Sequence, residues 1–330
     1  MQHAVDALRT ITNGRRFGKA TRLPPVLNMD GVALYKGEGM TDPAAMLDLP
    51  MPAMAHAPAE SPPRLQRAEG HARIAFRRVE ERTRLLEFYQ QGCCKVRLPR
   101  PEPGRPVEAV LLNTSGGITG GDRLEYEIAV GAGAELVVTT QAAERIYRSP
   151  AGPGFVVNRL NVAAGGSLDW LPQETILFDR CGLDRRLEVD LAGDATALLA
   201  ETIVFGRGAM GEAVRTLELT DRWRVRRDGT LVFADGIVVN GDATAILAGG
   251  ATASTATAIG SLVFVAPDAP RRLEEVRAVL GECAGETGAS AWPGLLNVRF
   301  VAASSQILRA DLRRVAEALR RRPLPRVWHC

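Results

Sequence analysis

Histidine is almost missing from this chain. All four residues lie at its margins, at His3, His56, His71 and His329, and the stretch 72–328 contains none. That gap removes Ser–His–Asp and Cys–His catalytic sets, and imidazole metal cages, from the long central stretch. Cysteine is sparse too. Cys93, Cys94, Cys181, Cys283 and Cys330 form an odd set without a Cys-x-x-Cys pair, so neither a disulfide framework nor a zinc ribbon is indicated, and a reducing cytoplasm fits. Cys93 and Cys94 are neighbours, and on one strand their side chains would point to opposite faces rather than grip one ion. Buried structural thiols are expected there, and a frayed end is expected at His329-Cys330.

Charge of one sign is also lacking. Forty-one basic and 38 acidic side chains leave a net charge of +3, too balanced for a nucleic-acid or membrane-surface role. Lysine occurs only at Lys19, Lys36 and Lys95, so arginine clusters such as Arg320-Arg321-Arg322 read as compositional bias. Aromatic residues make up 5% of the chain, few for a stacking sugar cleft. No apolar run reaches the ~18 residues of a membrane span, and no charged, apolar, small-residue leader pattern is seen.

What is present is a chain of 330 residues, 46% hydrophobic, long enough to bury a substantial core. Residues 1–69 carry eight of the twenty prolines, most of the methionines and no sustained period. They read as a disordered extension or an upstream misplaced start, with Met54 as one later start. From Ile74 the pattern changes to short runs of period two. In RLEYEIAV, Leu124, Tyr126, Ile128 and Val130 share one face, with Arg123, Glu125 and Glu127 opposite. Further strands are predicted at VEAVLLN (107–113), AELVVTT (134–140), RRLEVDL (185–191) and TALLAETIVF (196–205). TLELTDRWRV and GTLVFADGIVV join through Asp228-Gly229, a strong hairpin signal. The regular spacing of turns favours a sandwich, barrel or solenoid, and the lack of a fixed-length repeat argues against a regular repeat array. Helical spacing appears only late, over about 268–284, capped by Asp268, and over about 304–322, started by Ser304 or Ser305.

Between two of the strands lies NTSGGITGGDRL, with Gly116, Gly117, Gly120 and Gly121 ahead of Asp122. A phosphate loop needs a helix after it, so that helix N–H groups meet the anion. A strand follows here, Ile118 occupies the place of the second glycine in Gly-x-Gly-x-x-Gly, and no Gly-Lys-Ser/Thr is found. The glycines therefore read as backbone geometry, for positive φ and close approach. Asp122 then either caps the turn or presents a fixed carboxylate.

With histidine gone, the chemistry left is carboxylate. Asp122, Glu174, Glu201 and Asp235 stand within or beside apolar segments, and a buried acid is costly unless paired, hydrated or bound to a cation. One reading for each is an ion pair with an arginine such as Arg145, Arg148 or Arg207. Another is a carboxylate-dependent hydrolase, and a third is a stand-alone β domain that binds a ligand.

Five segments together carry a family resemblance: LLNTSGGITGGDRL, TTQAAERIYRS (139–149), DWLPQETILFDR (169–180), FGRGAMGE (205–212) and the terminal PLPRVWHC. In this order they resemble the urease accessory protein UreD family, called UreH in some organisms, over His71 to the C-terminus. The resemblance implies a mainly β domain over 70–330, a distorted β-helix or barrel with helices near its end. It implies a non-enzymatic maturation chaperone that binds apo-urease and UreF, and through UreF the GTPase UreG. It implies no tightly bound cofactor, but transient Ni2+, with carbon dioxide for lysine carbamylation, moving through a water-filled passage. Carboxylate and water release nickel more readily than imidazole or thiolate, so Asp122, Glu174, Glu201 and Asp235 are the expected lining or gates. Gln141, Arg145 and Tyr147 are expected at a partner contact, and the late helices at UreF. An apolar patch kept for such a partner would make the isolated protein poorly soluble.

Overall fold

A computed structural model describes residues 66–250 and 252–329. The expectations for residues 1–65, Met54 included, and for Cys330 lie outside the described residues. β1 (Glu69–Val79) and β2 (Arg82–Gly92) form an antiparallel hairpin, as do β3 (Cys94–Arg97) and β4 (Val107–Asn113). The chain then winds in laps. β5 (Arg123–Val130), β6 (Glu135–Thr140) and β7 (Glu144–Ile146) make the first. β8 (Gly154–Val162), β9 (Ser167–Leu171) and β10 (Thr175–Leu177) make the second. β11 (Cys181–Leu191) and β12 (Thr196–Phe205) begin a third, and β13 (Leu217–Arg227) stacks on β11 before turning back as β14 (Thr230–Gly241).

Stacked laps place like strands side by side. β1, β5, β8, β11 and β13 are parallel neighbours in a first sheet, bounded by the antiparallel β2 and β14. β4, β6, β9 and β12 are parallel neighbours in a second. A narrow third side joins them, where Ile118 bridges Ile146, Ile146 pairs with Leu177, and Leu177 with Phe205. The body is thus a stacked-coil, solenoid-like β structure, within the mainly β class the sequence indicated. No repeat is legible because the laps differ in length: Arg123 lies beside Phe155, Phe155 beside Asp184, and Asp184 beside Thr220.

Burial follows this layering. The first sheet turns one face inward, where Ile74, Ile128, Leu160, Val189 and Val225 align across five strands with at most 1% exposure. Its outer face meets solvent, which is why β5 and β8 alternate so cleanly. The second sheet is covered on both faces. After a short helix α1 (Ala243–Leu247), β15 (Ala258–Val265) pairs with β12. A 3-10 turn at Ala269–Arg272 leads into α2 (Leu273–Leu280), and β16 (Glu286–Trp292), β17 (Leu295–Ala302) and α3 (Ser305–Arg320) follow. Leu308, Leu312, Val315 and Leu319 of α3 pack with Val276 of α2 against Leu198, Leu262 and Val298 on that outer face. Hence TALLAETIVF is buried almost throughout, as a doubly covered strand should be.

Three local expectations change. Asp268 makes no capping bond, because the chain enters α2 through the 3-10 turn, whereas Ser304 accepts from the Ile307 N–H as an N-cap should. Cys93 and Cys94 do not face apart: Cys93 sits in the turn before β3, and a Cβ on Gly70 would meet both sulfurs, at 2.8 and 2.6 Å. Burial pushes the Cys94 thiol up to about 12, which suits a packing role. The C-terminal segment is not frayed as far as His329. Arg326–His329 form a 3-10 turn, Trp328 is 3% exposed, and its indole N–H donates to the Leu171 carbonyl at 3.2 Å. Among the described residues no helix is long and apolar enough to cross a membrane.

Trp328 therefore closes the groove between α3 and the second sheet. Trp328→Ala is expected to lose about 3–5 kcal/mol of stability, read as a lower denaturant midpoint at unchanged slope.

Candidate functional site

Where the laps turn from the second sheet to the third side, the sheets part around a cavity of about 460 Å³. The glycine loop frames its rim. Gly116, Gly117 and Gly121 adopt positive φ, at 82°, 151° and 86°. A Cβ on Gly117 would lie 2.3 Å from the Tyr147 ring, and one on Gly120 would lie 1.9 Å from Ser149 Oγ. These close approaches let Ile118 pair with β7, as the Ile118 N–H donates to the Arg145 carbonyl at 2.8 Å.

Polar side chains from successive laps project between the sheets. Tyr126 lies beside Asn158 in the first sheet, and both line the cavity. At its floor Arg185 of β11 donates to Thr175 Oγ1 at 2.8 Å and forks onto Asp221 of β13 at 3.2 and 2.6 Å. Its second partner is Glu201, from the opposite sheet, at 2.8 Å. Trp170 and Trp223 donate their indole N–H groups to the two Glu201 oxygens at 3.4 and 3.2 Å. One cation against two carboxylates leaves an excess negative charge in a dry place. Burial accordingly pushes Glu201 up to about 7, against the pull of Arg185, while the two acids hold Arg185 firmly charged.

The four carboxylates singled out in the sequence do not share one site. Asp122 accepts from the Ala68 and Thr119 N–H groups, each at 2.8 Å, and lies outside the cavity lining. It caps the glycine turn and ties the start of β1 to it. Glu174 points away from the cavity to Arg309 of α3, at 3.0 Å. Glu201 lies on the cavity floor. Asp235 of β14 stands deeper, paired with Arg299 of β17 at 2.6 Å. Glu201 and Asp235 meet at a second void of only about 10 Å³, lined also by Asp221, Ser261 and Arg299. The open space therefore ends at Glu201, and two arginines fill what lies beyond. Neither Arg145, Arg148 nor Arg207 neutralises these acids. The partners are Arg185, Arg299 and Arg309, brought from distant strands and a helix.

Gln141 and Arg145 are exposed and line the cavity. Tyr147, 37% exposed, donates its hydroxyl to the Gly116 carbonyl at 3.2 Å and packs edge-on against Phe178. One residue of the same segment went unremarked in the sequence. Glu144 lines the cavity near its rim, where Asn113 Nδ2 donates to its two oxygens at 3.2 and 3.3 Å. Burial pushes it up to about 7 from an ordinary 4.5. The available signal was its spacing, since it stands two residues before the fully buried Ile146 on a strand of period two.

Geometry and chemistry together define a two-sheet stacked-coil protein with a cavity of mixed lining between the sheets, apolar side chains interspersed with polar and charged ones. Neither imidazole nor thiol is among its lining groups. A family model described as UreD urease accessory protein matches residues 68–329. The chain is 47% identical over 263 residues to "Urease accessory protein UreD" of Xanthobacter autotrophicus, covering 80% of this chain and 90% of that one. Its likeness to the proteins of the same name from Azorhizobium caulinodans and Agrobacterium fabrum is 44% over 266 residues and 43% over 272. These alignments cover 81% and 82% of this chain, and 98% and 94% of the relatives. The chain belongs to the UreD urease accessory protein family, and its role lies in urease maturation.

Glu144 binds its proton more tightly in the folded than in the unfolded state. Its contribution to stability is full below about 4.5 and is lost as pH rises through about 7. Glu144→Gln should flatten part of that decline, by roughly 1–3 kcal/mol, in denaturant titrations run across the pH window.

Proposed function

We propose that this protein is a cytoplasmic, non-catalytic chaperone of nickel insertion. It holds apo-urease together with UreF, and through UreF with UreG, and passes nickel through the inter-sheet cavity toward the urease active site. The cavity is the observation that carries this reading. Its polar lining includes Asn113, Thr140, Gln141, Tyr126, Asn158, Glu144 and Glu201, alongside the cationic Arg145 and Arg185. Carboxylate, amide and hydroxyl oxygens hold a divalent cation weakly compared with imidazole or thiolate, so an ion that enters can leave.

Glu144 is the first acid an incoming cation meets, and Glu201 the second. Burial makes Glu144 slow to give up its proton, and a cation arriving there displaces it, whereas at Glu201 the cation competes with Arg185. Onward movement past Asp235 requires the Arg185 and Arg299 side chains to turn aside, which makes those two arginines the gate. Asp122 and Glu174 serve the framework. The surface supports partner binding as well: edge strand β2 exposes Leu85, Leu86, Phe88 and Tyr89, at 43%, 59%, 42% and 39%, an apolar stretch that a monomer would rather cover. Gln141, Arg145 and Tyr147 at the rim, and the outward sides of α2 and α3, are further contact candidates.

The test is co-purification followed by activation. Tagged protein should retain apo-urease and UreF, and a Glu144→Gln, Glu201→Gln double variant should retain them equally. Nickel incorporated into urease should then fall by at least about tenfold. Undiminished nickel loading by the double variant would remove the cavity route, and failure of the wild-type protein to retain urease would remove the maturation complex.

A further inference from the structure

The outer face of the first sheet carries a group of side chains of metal-ligating type, on the opposite face of β5 from the cavity-lining Leu124 and Tyr126. His71 of β1 lies beside Glu125 of β5 in the parallel register, and Glu127 follows two residues on, so all three project from one face. One ligand atom from each lies within 4.8 Å of the others. His71 Nε2 stands 3.3 Å from a Glu127 oxygen. Yet this buried nitrogen makes no aligned hydrogen bond. The Tyr89 ring meets the imidazole edge-on, with centroids 5.4 Å apart, and restricts its rotation. His71 and Glu125 border a surface concavity of about 410 Å³ with Gln91, Arg123 and Phe155, and the His71 and Glu127 side chains are each 31% exposed.

We infer that His71, Glu125 and Glu127 form a binding site for a divalent transition ion on the outer face of the first sheet. One imidazole and two carboxylates match an ion of the nickel or zinc kind, with further positions left for water. The local charge supports this. Two neighbouring carboxylates repel one another, and Arg159 of β8 supplies one positive charge against them, bonding to Glu125 and standing 4.0 Å from Glu127. The same guanidinium also reaches Glu188 of β11, with its Nε at 3.5 Å. It therefore has a second anchor onto which it can retire when a doubly charged ion takes its place. Arg159 and the ion compete for the same oxygens. This site stands independently of the maturation reading, because it shares no residue with the cavity.

Competition makes the test directional. Full-length protein is equilibrated by dialysis with Ni2+ alone or Zn2+ alone, and bound metal is measured. His71→Gln, with His3, His56 and His329 intact, should lose one bound equivalent, and Glu127→Gln should weaken it by at least about tenfold. Arg159→Gln should tighten it by at least about tenfold, since it removes the competing charge. A damaged fold cannot produce that increase. With Cu2+ as a probe, nitrogen hyperfine coupling in the electron paramagnetic resonance spectrum should be present in the wild type and weakened in His71→Gln. Unchanged binding in His71→Gln, or no tightening in Arg159→Gln, overturns the site. So does loss of the same equivalent in Glu144→Gln or Glu201→Gln, which would place the ion in the cavity instead.

Discussion

One buried guanidinium holds the two sheets in their relation. Arg185 reaches from the first sheet to Glu201 of the second while forking onto Asp221 beside it, with all three residues at most 6% exposed. A buried pair adds little net stability, because desolvation offsets its attraction. What it supplies is intolerance of error. A slip of β11 against β13, or of β12 across the interior, would strand at least one charge in a dry core. Aliphatic columns such as Ile128, Leu160 and Val189 would accept several registers, and the Arg185 group accepts one. We read it as the register lock of the stacked laps.

The same group shapes the interior. A core made only of leucine and valine would close, whereas Tyr126, Asn158, Thr175, Arg185 and Glu201 stand among the apolar side chains around open space. The cavity is thus an outcome of stacking polar residues at matching positions in successive laps. Deeper in, Asp235 and Arg299 repeat the theme of one acid and one arginine across the two sheets, but there the space is filled. The boundary between open and filled interior falls at Glu201.

Coverage divides the outside. Helices α2 and α3 and the Trp328 segment shield the outer face of the second sheet. Among the described residues, the outer face of the first sheet, the edge strands β2, β14 and β16 and the glycine-framed rim are exposed β surfaces. The exposed apolar side chains Leu85, Leu86 and Phe88 and the His71–Glu125–Glu127 group all belong to the first sheet. A partner approaching β2 would therefore come close to that histidine.

By itself the sequence determined the local structure, the absent chemistry and the family. Period two in RLEYEIAV, the Asp228-Gly229 turn and the stripe from Leu308 to Leu319 are local patterns, and each element appears where its pattern lies. Removing histidine from 72–328 ruled out whole classes of site without any coordinates. Tertiary structure decided which acids keep company. Asp122, Glu174, Glu201 and Asp235 look alike in the sequence, yet one caps a turn, one pairs with a helix arginine, and two face the interior. Their partners, Arg309, Arg185 and Arg299, are set by how the laps stack and how far the chain returns. The laps differ in length, so no periodicity encodes that stacking. Glu144 and the His71 group were hidden for the same reason: a side chain's surroundings come from the neighbouring lap, and only folding brings that lap alongside.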